Sequence, residues 1–355
     1  MISQNALHHA EKCRFCWMCR HLCPIQRQTG KEINTPRAKG LLLSMVNKET
    51  QSFDKDMAQA MYECVLCDAC TNNCTTGYQP PVFIREARTE AVVNDLAPET
   101  VIRLIDNILD TGNIYGVEKT SFAREGTDVL VYIGEVAATQ VPEMAENLLL
   151  LLEKAGISAK VLENEPASGV MLGDLIGYTE EVFLQAKTCA EAINKVGLPV
   201  VVLNSYDAEI MKQRYPMWDC EVKTEIITAT SYIYDLILKG RIKSKKAKGI
   251  KGACHDDDRS ARSFFEFDPI RAMAEAAGYE LEEMFSNKKM AKSCGTAVSK
   301  AYMPEIISKV AAGRWEDFER SGCSALLIAN PEAYLCLKES IPEGKCLVDL
   351  YGALL

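Results

Sequence analysis

The spacing of apolar and polar residues changes character near Thr127. Ahead of that point the period is helical. Over residues 35–48, Leu41, Leu42, Met45 and Val46 recur on one side with Arg37, Lys39, Asn47 and Lys48 elsewhere, which predicts an amphipathic helix. Residues 54–63 repeat the pattern with Asp54 as N-cap, Pro80 and Pro81 open a helix over 82–93, and Pro98 opens another that runs to Leu109. Beyond Thr127 strands and helices alternate. Strands are expected at 128–133, 158–162 and 200–203, with a helix over 142–155 stopped by Gly156. A basic segment over 241–251, carrying Lys243, Lys245, Lys246 and Lys248, reads as a solvated linker. After it the pattern resumes, with a strand near Gly252, a helix over 268–277, a strand at 279–284, helices through Arg320 and a strand at 325–329. This is α/β texture with mainly parallel sheets.

The two α/β stretches read as copies. Ser168-Gly169 precedes Val200 to Asn204 in the first, Cys294-Gly295 precedes Leu326 to Asn330 in the second, and the Gly-to-Asn separation is the same. An α+β multidomain chain is expected: a helical domain over 1–112, then two duplicated α/β domains over 113–240 and 241–355.

Composition narrows the classes. With 355 residues, 48% hydrophobic and 25% charged, the chain has room for two or three globular domains. Its formal charge of -9 argues against a nucleic-acid binder. The densest apolar run, Leu148 to Leu152, is closed by Glu153 and Lys154, so no transmembrane segment is expected and any membrane contact would be peripheral, at the inner face. Residues 1–12 show neither a basic n-region nor an apolar h-region, which points to a cytoplasmic protein.

Eight cysteines carry the chemistry. Cys13, Cys16, Cys19 and Cys23, followed by Pro24, and Cys64, Cys67, Cys70 and Cys74 each read C-x-x-C-x-x-C-x-x-x-C. Three thiolates two residues apart can wrap one loop around three irons of a cubane, while the fourth points away and, in the dicluster pattern, serves the other cluster. Cys13, Cys16 and Cys19 with Cys74 are thus assigned to one 4Fe-4S centre, and Cys64, Cys67 and Cys70 with Cys23 to a second. Zinc, the alternative, gives no reason for a third cysteine in each series, and disulfides would need an oxidising compartment. Helices between the runs, where compact dicluster ferredoxins have a short hairpin, make 1–112 an α-helical dicluster ferredoxin domain.

Charges near the runs differ. Lys12, Arg14 and Arg20 accompany the first, Glu63 and Asp68 the second, so the first-run centre is expected at the higher potential unless these side chains are screened by water. Phe15, Trp17, Met18, Val65 and Leu66 are expected to shield the clusters.

A helical dicluster module followed by two α/β halves resembles the iron–sulfur subunits of glycolate and lactate oxidases, anaerobic glycerol-3-phosphate dehydrogenase and heterodisulfide reductase, over nearly the whole chain. In that family each half carries a lone cysteine, a Cys-Cys-Gly and a C-P-x-C, which in some members hold a non-cubane cluster. In the first half these positions fall at Gly134-Glu135, Ala167-Ser168-Gly169 and residues 204–207, and no thiol is left. In the second, Cys254 matches the lone cysteine, Ser293-Cys294-Gly295 keeps one of the pair, and Asn330-Pro331-Glu332-Ala333 keeps the proline. Two thiolates cannot anchor such a cluster unaided. Cys323 lies on the wrong side of the 325–329 strand to help, and Cys189, Cys220, Cys336 and Cys346 read as buried small hydrophobes.

The resemblance implies an electron-transfer subunit of an oxidoreductase complex. An FAD-containing partner would oxidise an alcohol or 2-hydroxy acid, and two 4Fe-4S clusters would pass electrons to a quinone, ferredoxin or flavoprotein. No residue of this chain is then catalytic. The alternative is a disulfide or quinone reductase using a secondary thiol site of Cys254 and Cys294 with His255, Asp256, Asp257 and Asp258, although a capped loop also accounts for the acidic run.

Overall fold

Helices form where the apolar spacing and the prolines place them. The computed structural model, which describes residues 2–244 and 246–355, opens with α1 (Gln4–Glu11), α2 (Met18–Leu22), α3 (Pro24–Thr29) and α4 (Pro36–Asn47). It continues with α5 (Lys55–Tyr62), α6 (Ala69–Asn72), α7 (Pro80–Val93) and α8 (Glu99–Thr111). Asp54 caps α5 by accepting from Met57 N, and Pro24, Pro36 and Pro80 each occupy a first helical position, where a missing N–H costs nothing.

The buried face of α4 is centred one residue away from the expected apolar side, although Leu42 and Val46 of that side still pack on the core. Pro36, Lys39, Gly40 and Leu43 face inward, while Leu41 stands 47% exposed. The inward turn is fixed by close packing at Gly40, where a Cβ would run into the Tyr78 ring, and by Tyr78 OH donating to Pro36 O at 2.6 Å. Ala6, Leu43, Met57, Met61, Phe83 and Ile84 make the core of this region, with Cys13, Cys64 and Cys74 packed on it.

Two four-stranded sheets follow. The first holds β1 (Val129–Tyr132), β2 (Ala159–Lys160), β3 (Val200–Val202) and β4 (Ile226–Thr228) in the order β2-β1-β3-β4, every pairing parallel. The second holds β5 (Lys251–Cys254), β6 (Glu280–Leu281), β7 (Ala325–Ile328) and β8 (Cys346–Asp349) in the order β6-β5-β7-β8, again parallel throughout. β1, β3 and β7 are buried along their whole length, as expected of parallel strands with both faces covered. The sequence pattern did not indicate β4 or β8, which are three and four residues long at sheet edges.

By contacts the chain divides into two units. One contains the helical region to Gly116 with Met171–Val182 and Lys292–Gly313; the other contains Val117–Val170, Phe183–Ala291 and Arg314–Leu355. Both sheets belong to the second unit, where helix Ala229–Leu238 packs against helix Asp268–Ala277 across the boundary expected at 240. The described residues of 241–250 show no regular structure apart from turns, bury Ile242 and Ala247, and are pinned where Ala247 N donates to Ala277 O at 3.0 Å. Lys245 lies outside the described residues, and Lys251 belongs to β5 and pairs with Glu282 at 3.0 Å. Among the described residues no helix is long and apolar enough to cross a membrane.

Candidate metal centres

The two cysteine runs fold into the same loop. Phe15 and Trp17 take left-handed backbone angles at φ 54° and 70°, and Leu66 and Asp68 take them at 51° and 61°, at matching offsets from Cys13 and Cys64. Such angles cost non-glycine residues of order 1–3 kcal/mol each and persist where the surroundings impose them. Here they turn backbone donors toward sulfur. Phe15 N donates to Cys13 Sγ and Leu66 N to Cys64 Sγ, both at 3.4 Å.

Each loop borders a cavity that the other run completes. One cavity is lined by Cys13, Cys16 and Cys19 from the first run and by Cys74 and Cys70 from the second, with Arg14, Trp17 and Arg37 on its rim. The other is lined by Cys64, Cys67 and Cys70 and by Cys23, with Lys39, Val65 and Leu66 in its wall. Cys70 borders both. Among the described residues no three His, Cys, Asp or Glu side chains close on one point as a single ion requires.

Burial shapes these thiols. It pushes Cys19 and Cys23 up to about 11 and Cys70 well above the usual thiol range. At Cys74 burial works the same way, but hydrogen bonds from Thr76 at 3.2 Å and from nearby backbone outweigh it and the thiol is lowered.

Shielding is uneven. Val65 and Leu66 are buried as expected, but Phe15, Trp17 and Met18 are 48%, 41% and 59% exposed and so form a surface rim. Arg37 stacks on Trp17 with its guanidinium carbon 3.5 Å from the ring and pairs with Glu32 at 2.5 Å. Arg14 donates to the carbonyls of Glu11, Lys12 and Cys13, and Arg20 stands 4.0 Å from Glu32 in solvent.

In the second unit the first sheet brings its three thiol-free motif positions toward one place. Ser168 Oγ donates to Asp207 Oδ1 at 2.5 Å, and Glu165 accepts from Ile133 N and Gly134 N at 2.8 Å each. Glu135 Oε2 and Asp207 Oδ2 are buried without a hydrogen bond. Burial, with smaller contributions from neighbouring carboxylates, raises Glu135 to about 8 and Glu165 to about 7, and burial raises Asp207 to about 6.

The side chains after β5 have partners of their own. Cys254 Sγ lies against Ile270 O at 3.8 Å, and burial drives its thiol far up. His255 Nδ1 accepts from Arg314 Nε at 3.0 Å, and burial followed by that arginine keeps the imidazole neutral. Asp256 pairs with Arg271 at 2.8 Å and Asp258 with Arg262 at 2.5 Å, while Asp257 accepts from Arg259 N and Ser260 N at 3.1 Å. The acidic run is thus a capped, ion-paired loop. Cys294 belongs to the other unit. Cys189 and Cys336 are buried as expected; Cys220 is half-buried and Cys346, first residue of an edge strand, is exposed, so neither is a core hydrophobe.

Residues 9–78 match a family model described as a 4Fe-4S dicluster domain. The repeated loops, the paired cavities and this match define an iron–sulfur protein of the electron-transferring kind. The chain is 23% identical over 334 residues to a protein of Syntrophomonas wolfei named EtfAB:quinone oxidoreductase, covering 86% of this chain and 44% of that one. It thus spans less than half of that relative. A crystal structure of a hypothetical protein from Helicobacter pylori superposes with a TM-score of 0.56 at 12% identity, over 94% of this chain and 66% of that one. That likeness concerns the fold.

Proposed function

We propose that this chain is the iron–sulfur electron-transfer subunit of a larger oxidoreductase, with one 4Fe-4S cluster on Cys13, Cys16, Cys19 and Cys74 and a second on Cys64, Cys67, Cys70 and Cys23. The observation that carries this reading is the crossed lining of the two cavities: each gathers thiols from both runs. Such clusters, when bound, supply one-electron chemistry at potentials set by nearby charge, hydrogen bonds to sulfur and exposure. The chain contributes those settings. Phe15 N and Leu66 N donate to the sulfurs that open each run, and Val65 and Leu66 keep water from the second cavity.

The partner we assign is an FAD-containing protein, and the downstream acceptor a quinone. The quinone draws on the name of the Syntrophomonas relative; the flavin, and an alcohol or 2-hydroxy acid as first donor, draw on the resemblance to glycolate-oxidase-type subunits. The rim of Phe15, Trp17 and Met18, with Lys12, Arg14 and Arg20, suits an acidic redox partner at the first cavity. The two sheets, which we take as duplicated halves from their identical strand order, serve as a scaffold without a third cluster.

Anaerobic preparation tests the core of this reading. The expected result is about eight irons per chain and reduced-state spectra of two interacting centres. Zinc without iron would end it, and native co-purification with a partner that lacks flavin would remove the flavoprotein part.

A further inference from the structure

We infer that Lys39 makes the centre on Cys64, Cys67, Cys70 and Cys23 the higher-potential one of the two, the reverse of what charges adjacent in sequence suggest. The inference rests on the ligand sets proposed above. Lys39 is 1% exposed and lies in the wall of that cavity. Among the described residues its ammonium has one acceptor, the carbonyl of Ala60 at the C-terminal part of α5, and no ion pair with a carboxylate. Cys64 and Cys23 line the same cavity. An ammonium with one carbonyl and no counter-charge is costly to bury, so the site asks for an anion in the cavity.

The surrounding backbone has the same sign. First-turn prolines of two long helices line this cavity, Pro36 of α4 and Pro80 of α7, so the positive ends of two helix dipoles face it. Arg88, 1% exposed, donates to Cys64 O at 2.6 Å and adds a second buried cation beside the loop. Against them stand Asp68, which lines the same cavity, and Glu63, both partly in water where their charge is screened. The first cavity has cations too, but Arg14 and Arg20 are solvent-exposed and Arg37 is neutralised by Glu32. A charge in a dry wall acts through a lower dielectric than one at the surface, so the buried lysine outweighs the exposed arginines. Positive charge stabilises the reduced, more negative cluster and thereby raises its potential.

The test is a mediated dithionite titration of the anaerobic holoprotein, followed by electron paramagnetic resonance, with each centre assigned by the signal lost in Cys67→Ser or Cys16→Ser. Lys39→Met should hold both centres, and the reduced-to-oxidised ratio of the second-run centre at fixed poise should fall about tenfold, a shift of about 59 mV for a one-electron couple. Lys39→Arg should restore most of it. Arg14→Gln with Arg20→Gln, which leaves Lys39 in place, should not move the higher potential. The inference is overturned if Lys39→Met keeps both potentials, if the first-run centre is the one that shifts, or if the arginine variant lowers the higher potential. Should Lys39→Met lose iron, the arginine variant and the assignment of the higher-potential signal in the unaltered protein still decide the order. A protein that never holds two cubanes fails the ligand reading; two cubanes with the first-run centre higher fail only this inference.

Discussion

The side-chain amide of Asn330 donates to the side-chain oxygen of Asn204 at 3.3 Å, so residues just past the central strands β7 and β3 meet across the two sheets. Each asparagine also caps the helix that follows it: Asn204 accepts from Tyr206 N, and Asn330 from Glu332 N and Ala333 N. Asn330 donates further to Ser205 Oγ at 2.9 Å, and Asn204 to Glu332 Oε1 at 3.2 Å. These are the positions where the resembling family places C-P-x-C cysteines, and here they hold two halves of one unit together.

Asn330→Ala is expected to destabilise the second unit by about 1–3 kcal/mol, because it removes a cap and leaves buried partners unmatched. Asn204→Ala should cost a similar amount, and the double variant less than the sum, by about 0.5–2 kcal/mol. Urea unfolding of the four proteins measures this. Strictly additive costs would show that the contact does not couple the halves, and iron content should be the same in all four.

The crossed cavities give a second expectation. Cys23→Ser should remove the centre on the second run although Cys23 sits in the first, and Cys74→Ser should remove the centre on the first run. Each variant should retain about half the iron, in one cubane. Loss of the same centre in Cys23→Ser and Cys16→Ser would mean that each run serves itself.

Much of this was legible in the sequence because spacing alone carries it. The cysteine runs repeat, the prolines mark helix starts, and β1, β3 and β7 are continuous apolar runs. What stayed hidden depends on contacts between distant residues. A lysine at a helical position reads as solvent-facing, and only the approach of Tyr78 to Gly40 turns Lys39 inward. The acidic run after Cys254 looks like chemistry until Arg271 and Arg262 arrive from elsewhere in the chain to pair with it. β4 and β8 are too short to show a period.

The carboxyls of the first sheet predict a pH dependence. Glu135 moves from 4.5 to about 8, Glu165 from 4.5 to about 7 and Asp207 from 3.8 to about 6, chiefly through burial. Folded values raised above unfolded ones mean that the unfolded chain gives up its protons first as pH rises. The stability they contribute is complete below about pH 4 and is lost as pH climbs through about 6 to 8. The second unit should therefore melt at a lower temperature at about pH 8.5 than at about pH 6. Glu135→Gln keeps the shape, removes the charge, and should flatten that slope while stabilising the alkaline end by on the order of 1–3 kcal/mol. Melting temperatures that rise between those pH values, or a variant with an unchanged slope, would contradict the protonated assignment.

The last prediction concerns the surface at the first cavity. Phe15, Trp17 and Met18 are exposed there, and Arg14 and Arg20 flank them with no buried counter-charge. Charges in that position act at long range on an incoming molecule and are screened by salt, whereas the cluster behind them feels little. Replacing Arg14 and Arg20 with Glu should slow electron exchange with an acidic redox protein by about tenfold at low ionic strength, and the difference should fade as salt approaches about 0.5 M. Both cluster potentials should stay where they are. Trp17→Ala should slow the same exchange at every salt concentration, since it removes apolar contact rather than charge. Stopped-flow mixing of the reduced protein with oxidised partner reads both effects. A charge-reversal variant that exchanges electrons at the original rate at low salt would move the docking surface away from the first cysteine run.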